Sequence, residues 1–213
     1  MRVLRKIRRF CQEPYIEKVA TVSEWLWLVR SQLYYKRFFK HLGKGSKILR
    51  PLRLKNVHYM SIGDDVMIHN QCWLQTLSVL REPPELVIGN GSIIGNFNHI
   101  TCASRVHLGE KVLTADRVFI SDNGHGYEDS DKAILDQGVV SRGPVSIGAG
   151  TWLGENAVVL SCKIGRNCVI GANAAVVHDI PDYCVAVGTP ARIIKRFNTR
   201  KKTWELVGSP AAP

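Results

Sequence analysis

The chain has no run of about 18 consecutive uncharged apolar residues, so no transmembrane helix is expected. Arginines near the start are not followed by the apolar core of about 7–15 residues that a secretory signal carries, so none is expected either. The six cysteines, at 11, 72, 102, 162, 168 and 184, contain no C-x-x-C pair, no zinc-ligand spacing and no dense disulfide framework. Reduced thiols in a cytoplasmic protein are the expectation. Residues 57–213 also lack any charge excess, with 14 Lys and Arg against 15 Asp and Glu. The formal charge of +11 therefore arises in residues 1–56, where 15 Lys and Arg stand against 3 acids. That excludes a uniformly basic nucleic-acid binder. The 213 residues, 45% of them hydrophobic, suit one domain with a real core and an appended arm.

Residues 1–56 read as a basic helical arm. Val3, Leu4, Ile7, Phe10 and Cys11 recur at helical spacing, with Arg2, Arg5, Lys6, Arg8 and Arg9 on the other faces. Pro14 should end that segment. Thr21 followed by Glu24 resembles a capping box and predicts a second helix through the apolar run to Leu42, stopped at Gly43 and Gly45. Two readings of the arm stand side by side. Its basic, aromatic helices could lie on an anionic inner-membrane face through residues 1–12. Alternatively, residues 24–42 cap an open edge of the domain that begins at residue 57, and the charge is a solvated face.

From residue 57 an aliphatic side chain returns every six positions, often followed by glycine. Ile62 leads to Ile68 and Leu74, Ile88 to Ile94 and Ile100, and Leu108 to Thr114 and Ile120. Ile147 leads to Leu153 and Val159, and Ile164 to Ile170 and Val176. Four positions after an aliphatic residue sits a compact one, such as Val66, Cys72, Ser92, Asn98, Thr151, Ala157 or Cys168. A period of six fits neither an α-helix nor a hairpin sheet. It predicts an all-β fold, a parallel β-helix of about five coils with three short strands each. The aliphatic residues point inward, and glycine is expected to supply open backbone angles where the wall turns. Residues 77–86 and 123–144 break the period, and the second break, long and polar, is expected to carry function.

Residues Val145 to Lys195 resemble the C-terminal coils of hexapeptide-repeat O-acetyltransferases, such as the galactoside and maltose acetyltransferases. The carrying residues are Ile147 to Gly154, Ile164-Gly165, Ile170-Gly171-Ala172, Asp179-Ile180-Pro181 and Val187 to Arg192. Upstream, Asn96-Phe97-Asn98 and Asn123-Gly124-His125 also fit, and the loop from Asn123 to Pro144 is closest to the branch that modifies sugars of lipopolysaccharide and capsule. The resemblance spans residues 57–197 and leaves 198–213 as a tail. It implies a left-handed β-helix, a homotrimer with active sites between subunits and acetyl-CoA as donor; no metal is expected from the histidine and cysteine spacings. The expected location is the cytoplasm, at the inner-membrane periphery if the arm binds lipid.

Acetyl transfer to a hydroxyl needs a base that works near neutrality, which suits histidine. Of seven histidines, His125 lies between two glycines at the start of the long loop, and the resemblance makes it the catalytic base. The resemblance gives the oxyanion donor as the backbone N–H of Glu155. It gives Asn96 as an acceptor-binding amide, although a turn-capping role is an equal reading. Asp122, Glu128 and Asp129 flank His125, and one of them could orient its ring; Asp122 and Glu128 are also candidates to touch the acceptor. Where relatives carry an acidic pair, Ala103-Ser104 stands here. For CoA the resemblance implies Trp152 as channel wall or trimer contact, the backbone at Ala172, Val177 in place of a threonine, and Arg192 with Lys195 for the phosphates. The zinc-binding β-helix trimers, the γ-class carbonic anhydrases, need a second histidine five residues on, where this chain has Ser130. The leading function is therefore acetylation of a surface-polysaccharide sugar or its precursor. A small non-glycan acceptor and a non-catalytic scaffold are the alternatives.

Overall fold

The computed structural model describes residues 14–207. The six-residue period folds into a left-handed parallel β-helix with three flat faces. The first face stacks strands at 41–42, 60–62, 85–88, 105–108, 145–147 and 163–164; the third stacks strands at 53–55, 73–76, 99–102, 119–121, 158–160 and 175–176. The second runs 47–48, 67–68, 93–94, 113–114, 152–153, 169–170 and 184–187. Each face carries an inward ladder in strict register. On the first face it is Leu42, Ile62, Ile88, Leu108, Ile147 and Ile164, each at most 1% exposed. These ladders fill the prism and are its core.

There are six complete coils and the start of a seventh, one more than expected, because the prism begins at His41 rather than at 57. Leu42-Gly43, Ile48 and Leu54 already keep the six-residue step. The helical reading of the whole arm is thus corrected. One α-helix runs Tyr15–Leu33, starting directly after Pro14, and Thr21 lies inside it instead of capping it. The segment before Pro14 lies outside the described residues. The last turns of the helix close the open end of the first coil. Ser31 Oγ donates to Trp27 O (2.7 Å) and accepts from the N–H of Ile48 (2.9 Å), and Gln32 Nε2 donates to the carbonyls of Gly43 and Ser46 (3.0 Å each). Without these groups the first-coil strand edge would lie unpaired. At the other end the expected tail is also partly strand: Arg192–Asn198 and Thr203–Leu206 extend the second face antiparallel.

The glycines act differently from expectation. Open backbone angles fall two residues later, at Asp65, Gly91, Lys111, Gly150 and Asn167, and at the next corner on Gln71, Phe97, Arg117, Asn156 and Asn173. The glycine that follows the aliphatic residue is required for close stacking of coils. A Cβ on Gly89 would come within 2.5 Å of the Gly109 carbonyl carbon, and one on Gly109 within 2.7 Å of Ala149 N. The buried cysteines serve packing. Burial pushes the Cys72 and Cys102 thiols up to about 12, which keeps them protonated and unreactive.

Outside the third face, Arg53, Trp73, His99 and Phe119 form one row across the strands. The His99 ring stacks on Trp73 (4.3 Å, 15°) and tilts against Phe119 (5.1 Å), while its Nε2 has no hydrogen-bond partner among the described residues. Burial therefore lowers its pKa below 6.5. A depressed histidine pKa means that the folded state binds its proton less readily than the unfolded chain. The stabilisation is full above pH 6.5 and declines as pH falls through the folded value. We expect Tm to drop on acidification below pH 6.5 by less in His99→Phe than in the parent; equal pH slopes in calorimetry would refute the assignment.

Candidate active site

At the corner between the third and first faces, the turn Ala103-Ser104-Arg105 points three backbone N–H groups at one spot. Asp122, fully buried one coil later, accepts all three at 2.7 Å each and also takes Asn123 Nδ2 at 2.8 Å. A carboxylate suits this convergence because each of its oxygens carries two lone pairs. The chain then leaves the prism as an antiparallel hairpin, Asn123–His125 against Val139–Ser141, with His125 opposite Val139. Arg142 holds the hairpin closed. Its guanidinium donates to His125 O (3.0 Å) and to Glu128 (2.7 Å) and lies 4.5 Å over the Tyr127 ring, while its own N–H donates to Asp122 O (2.9 Å). Farther out, Gln137 donates to the Asp129 and Lys132 carbonyls and accepts from Asp129 N, so the excursion is cross-linked internally. The result presents the His125 side chain exposed on a braced stem.

This geometry corrects the acidic candidates. Asp122 has no oxygen left for an acceptor or for the His125 ring, because it serves the turn. Glu128 is engaged by Arg142, which holds its carboxyl down at about 2. Asp129 pairs with Lys132 at 2.7 Å, which also lowers its pKa. None of the three is bonded to the imidazole. Asn96 is likewise committed at the corner between the second and third faces: its Nδ2 donates to Asp116 and its Oδ1 accepts from Asn70. The turn-capping reading of Asn96 is the one its bonds satisfy.

The remaining candidates gather on the second face. Trp152, Val169, Val185 and Lys195 form one outward row in register across four strands, and Arg192 opens the strand that carries Lys195. Trp152 is 46% exposed. Glu155 and Ala172 occupy the corner beside this face. The Glu155 side chain pairs with Arg117, and its N–H has no acceptor among the described residues, whereas Asn70 N and Asn96 N, at the same turn position, donate to side chains. Val177 follows the strand 175–176 on the other side of the third face, on the edge that carries His125. A single chain therefore places His125 and Val177 on one edge, with Asn96, Trp152, Glu155, Ala172, Arg192 and Lys195 across the prism.

A cavity of about 620 Å³ opens on the His125 edge, lined by Lys40, Tyr59, Glu82, Glu85, Ser104 and Arg105 among others. Its Ser104-Arg105 floor is the turn that Asp122 holds. Sequence reading passed over Arg142, Arg105 and Tyr59, which carry no motif; the one available signal was a long loop re-entering the prism through Arg142-Gly143-Pro144. Among the described residues, no three His, Cys, Asp or Glu come together as a metal-binding group.

Residues 144–177 match the family model described as the hexapeptide repeat of succinyl-transferase. The protein named "Probable acetyltransferase Rv3034c" of Mycobacterium tuberculosis is 31% identical over 212 residues, which span 91% of this chain and 68% of that one. The chain belongs to the hexapeptide-repeat acetyltransferases. WbbJ of Escherichia coli (strain K12), whose name assigns it O-acetyl transfer in lipopolysaccharide biosynthesis, is 38% identical over 119 residues, 53% of this acetyltransferase and 61% of its own length. The match thus spans less than two thirds of WbbJ. Among solved structures, AntD, an N-acyltransferase from Bacillus cereus in complex with dTDP and 3-hydroxybutyryl-CoA, superposes with a TM-score of 0.66 at 20% identity, covering 80% of this chain and 89% of that one. That likeness shows the shared β-helix. As a member of the family, this acetyltransferase is an acyl-transferring enzyme.

Proposed function

We propose that this enzyme transfers an acetyl group from acetyl-CoA to a hydroxyl of a sugar in a surface polysaccharide or its precursor, with His125 as general base. The observation that carries the reading is the exposed imidazole on a stem braced by Asp122 and Arg142. A base must hold its position while a proton moves, and this stem fixes the backbone on both sides of the ring. WbbJ supports the glycan acceptor by its name, and AntD supports a nucleoside diphosphate and a CoA thioester on this fold by the molecules in its complex.

In the proposed reaction His125 takes the proton of the attacking hydroxyl. The new C–O bond forms at the thioester carbonyl, whose electrons move onto oxygen, and a backbone N–H such as that of Glu155 stabilises the charge without reorganising. Collapse breaks the C–S bond, and the proton passes from His125 to the leaving thiolate. The Trp152–Lys195 row suits an elongated donor, with an aromatic wall at one end and cations for phosphate at the other. His125 and this row lie on different sides of one chain, which favours a trimer in which the edge of one subunit meets the second face of the next. The cavity at Tyr59 and Arg105 is then the acceptor's entrance on the His125 edge.

The test is thiol release from acetyl-CoA over a panel of sugars, nucleotide sugars and xenobiotics. Release with a glycan or glycan precursor is expected. CoA binding with no release on any acceptor would indicate a scaffold, and release with xenobiotics alone would move the acceptor out of the glycan class.

A further inference from the structure

We infer that the first-coil end of the prism is a docking surface for an anionic lipid bilayer. Three observations meet there. First, the hydrogen bonds that cap the first coil come from the last turns of the helix Tyr15–Leu33, with Glu24 paired to Lys47 (3.2 Å) farther back. Along the helix Tyr15, Ile16 and Leu26 are 81%, 74% and 55% exposed, and Val19, Val22 and Trp25 are exposed beside them. Large contiguous apolar surfaces of this kind are uncommon on soluble proteins unless something covers them. Second, residues 34–56, which build the first coil and its approach, hold eight Lys and Arg and no acid. All eight except Lys47 are exposed. Third, aromatic side chains rim the same end: Tyr15, Trp25, Tyr34 and Phe38 are each at least half exposed. Tyrosine and tryptophan favour the headgroup layer, where one end of the ring is apolar and the other wet.

The combination selects one occupant. A polyanion such as a nucleic acid would satisfy the cations but leave the apolar helix in water. A second copy pressed on the same face would set the cations left after the Lys40–Glu85 and Lys47–Glu24 pairs against their own kind. An anionic lipid surface satisfies both, with the helix entering the acyl boundary and the basic collar meeting headgroups. No described helix is long and apolar enough to cross a membrane, so the chain would lie on the bilayer. A threefold rotation would keep three such ends at one level, so a flat surface would meet all of them. The inference does not depend on the acceptor.

The experiment is vesicle flotation of the full chain with phosphatidylcholine alone and with phosphatidylglycerol added. The expected result is salt-sensitive flotation with the anionic vesicles only. Val22→Asp/Leu26→Asp and Lys36→Glu/Arg37→Glu should each lower the bound fraction at least ~10-fold while thermal melting stays that of the parent. Equal binding to both vesicle types, or full binding by both variants, would overturn the inference. So would an absence of vesicle binding with a particle mass that falls in Val22→Asp/Leu26→Asp, because the face would then be a contact between copies.

Discussion

His125→Ala should lower turnover by about 10²–10⁴-fold with acetyl-CoA and a productive acceptor, the usual contribution of a positioned acid–base group. The Michaelis constant for acetyl-CoA should change little, because the Trp152–Lys195 row, and not His125, is assigned to hold the donor. The fold should not change, since the side chain is exposed and the hairpin is held by backbone bonds and by Arg142. The separation of kcat from KM is therefore the decisive readout. A loss confined to KM would make His125 an acceptor contact, and wild-type turnover would end its assignment as base. Glu128→Gln is the useful companion. If Glu128 only closes the Arg142 clamp, as its bond indicates, the amide retains a hydrogen-bond acceptor for Arg142 and turnover should stay within a few-fold of the parent. A loss as large as that of His125→Ala would make Glu128 part of the chemistry.

The prism was legible because the inward ladders repeat in sequence as they do in space. Each six-residue step is one face, so Ile88, Ile94 and Ile100 spell out a coil by their spacing alone. The first coil was hidden by its charge. Leu42, Ile48 and Leu54 keep the step, but eight cations around them imitate the solvated face of a helix. The glycines were misread for a related reason. Sequence shows that the wall turns near them, but only the stacked coils show that backbone approach, and not a positive φ, excludes a side chain there. At the site, His125 was legible from its loop and its resemblance. The roles of its acidic neighbours were not, because three carboxylates within eight residues look alike in sequence. What separates them is which N–H or guanidinium each meets, and those partners come from positions 103–105, 142 and 132.

Asp122 is where stability and catalysis meet, and Asp122→Ala should be the most destabilising single change near the site. Its carboxylate takes three backbone N–H bonds of 2.7 Å, and removing it leaves three donors facing a partly buried gap. Leaving a buried donor unpaired costs about 1–3 kcal/mol, and partial hydration at the corner limits the sum to about 3–5 kcal/mol. For a chain of this size that corresponds to a fall in Tm of about 10 °C. Asp122→Asn should fall between, since one oxygen still accepts but the new NH₂ points at a donor. Turnover should decline with it, as the turn fixes the root of the His125 hairpin. The ordering matters more than the size. If Asp122 were instead an acceptor ligand, both variants would keep the parent's Tm and lose only acceptor affinity. Calorimetry and acceptor KM on the two variants separate these outcomes, and a Tm within about 2 °C of the parent for Asp122→Ala would refute the anchoring role.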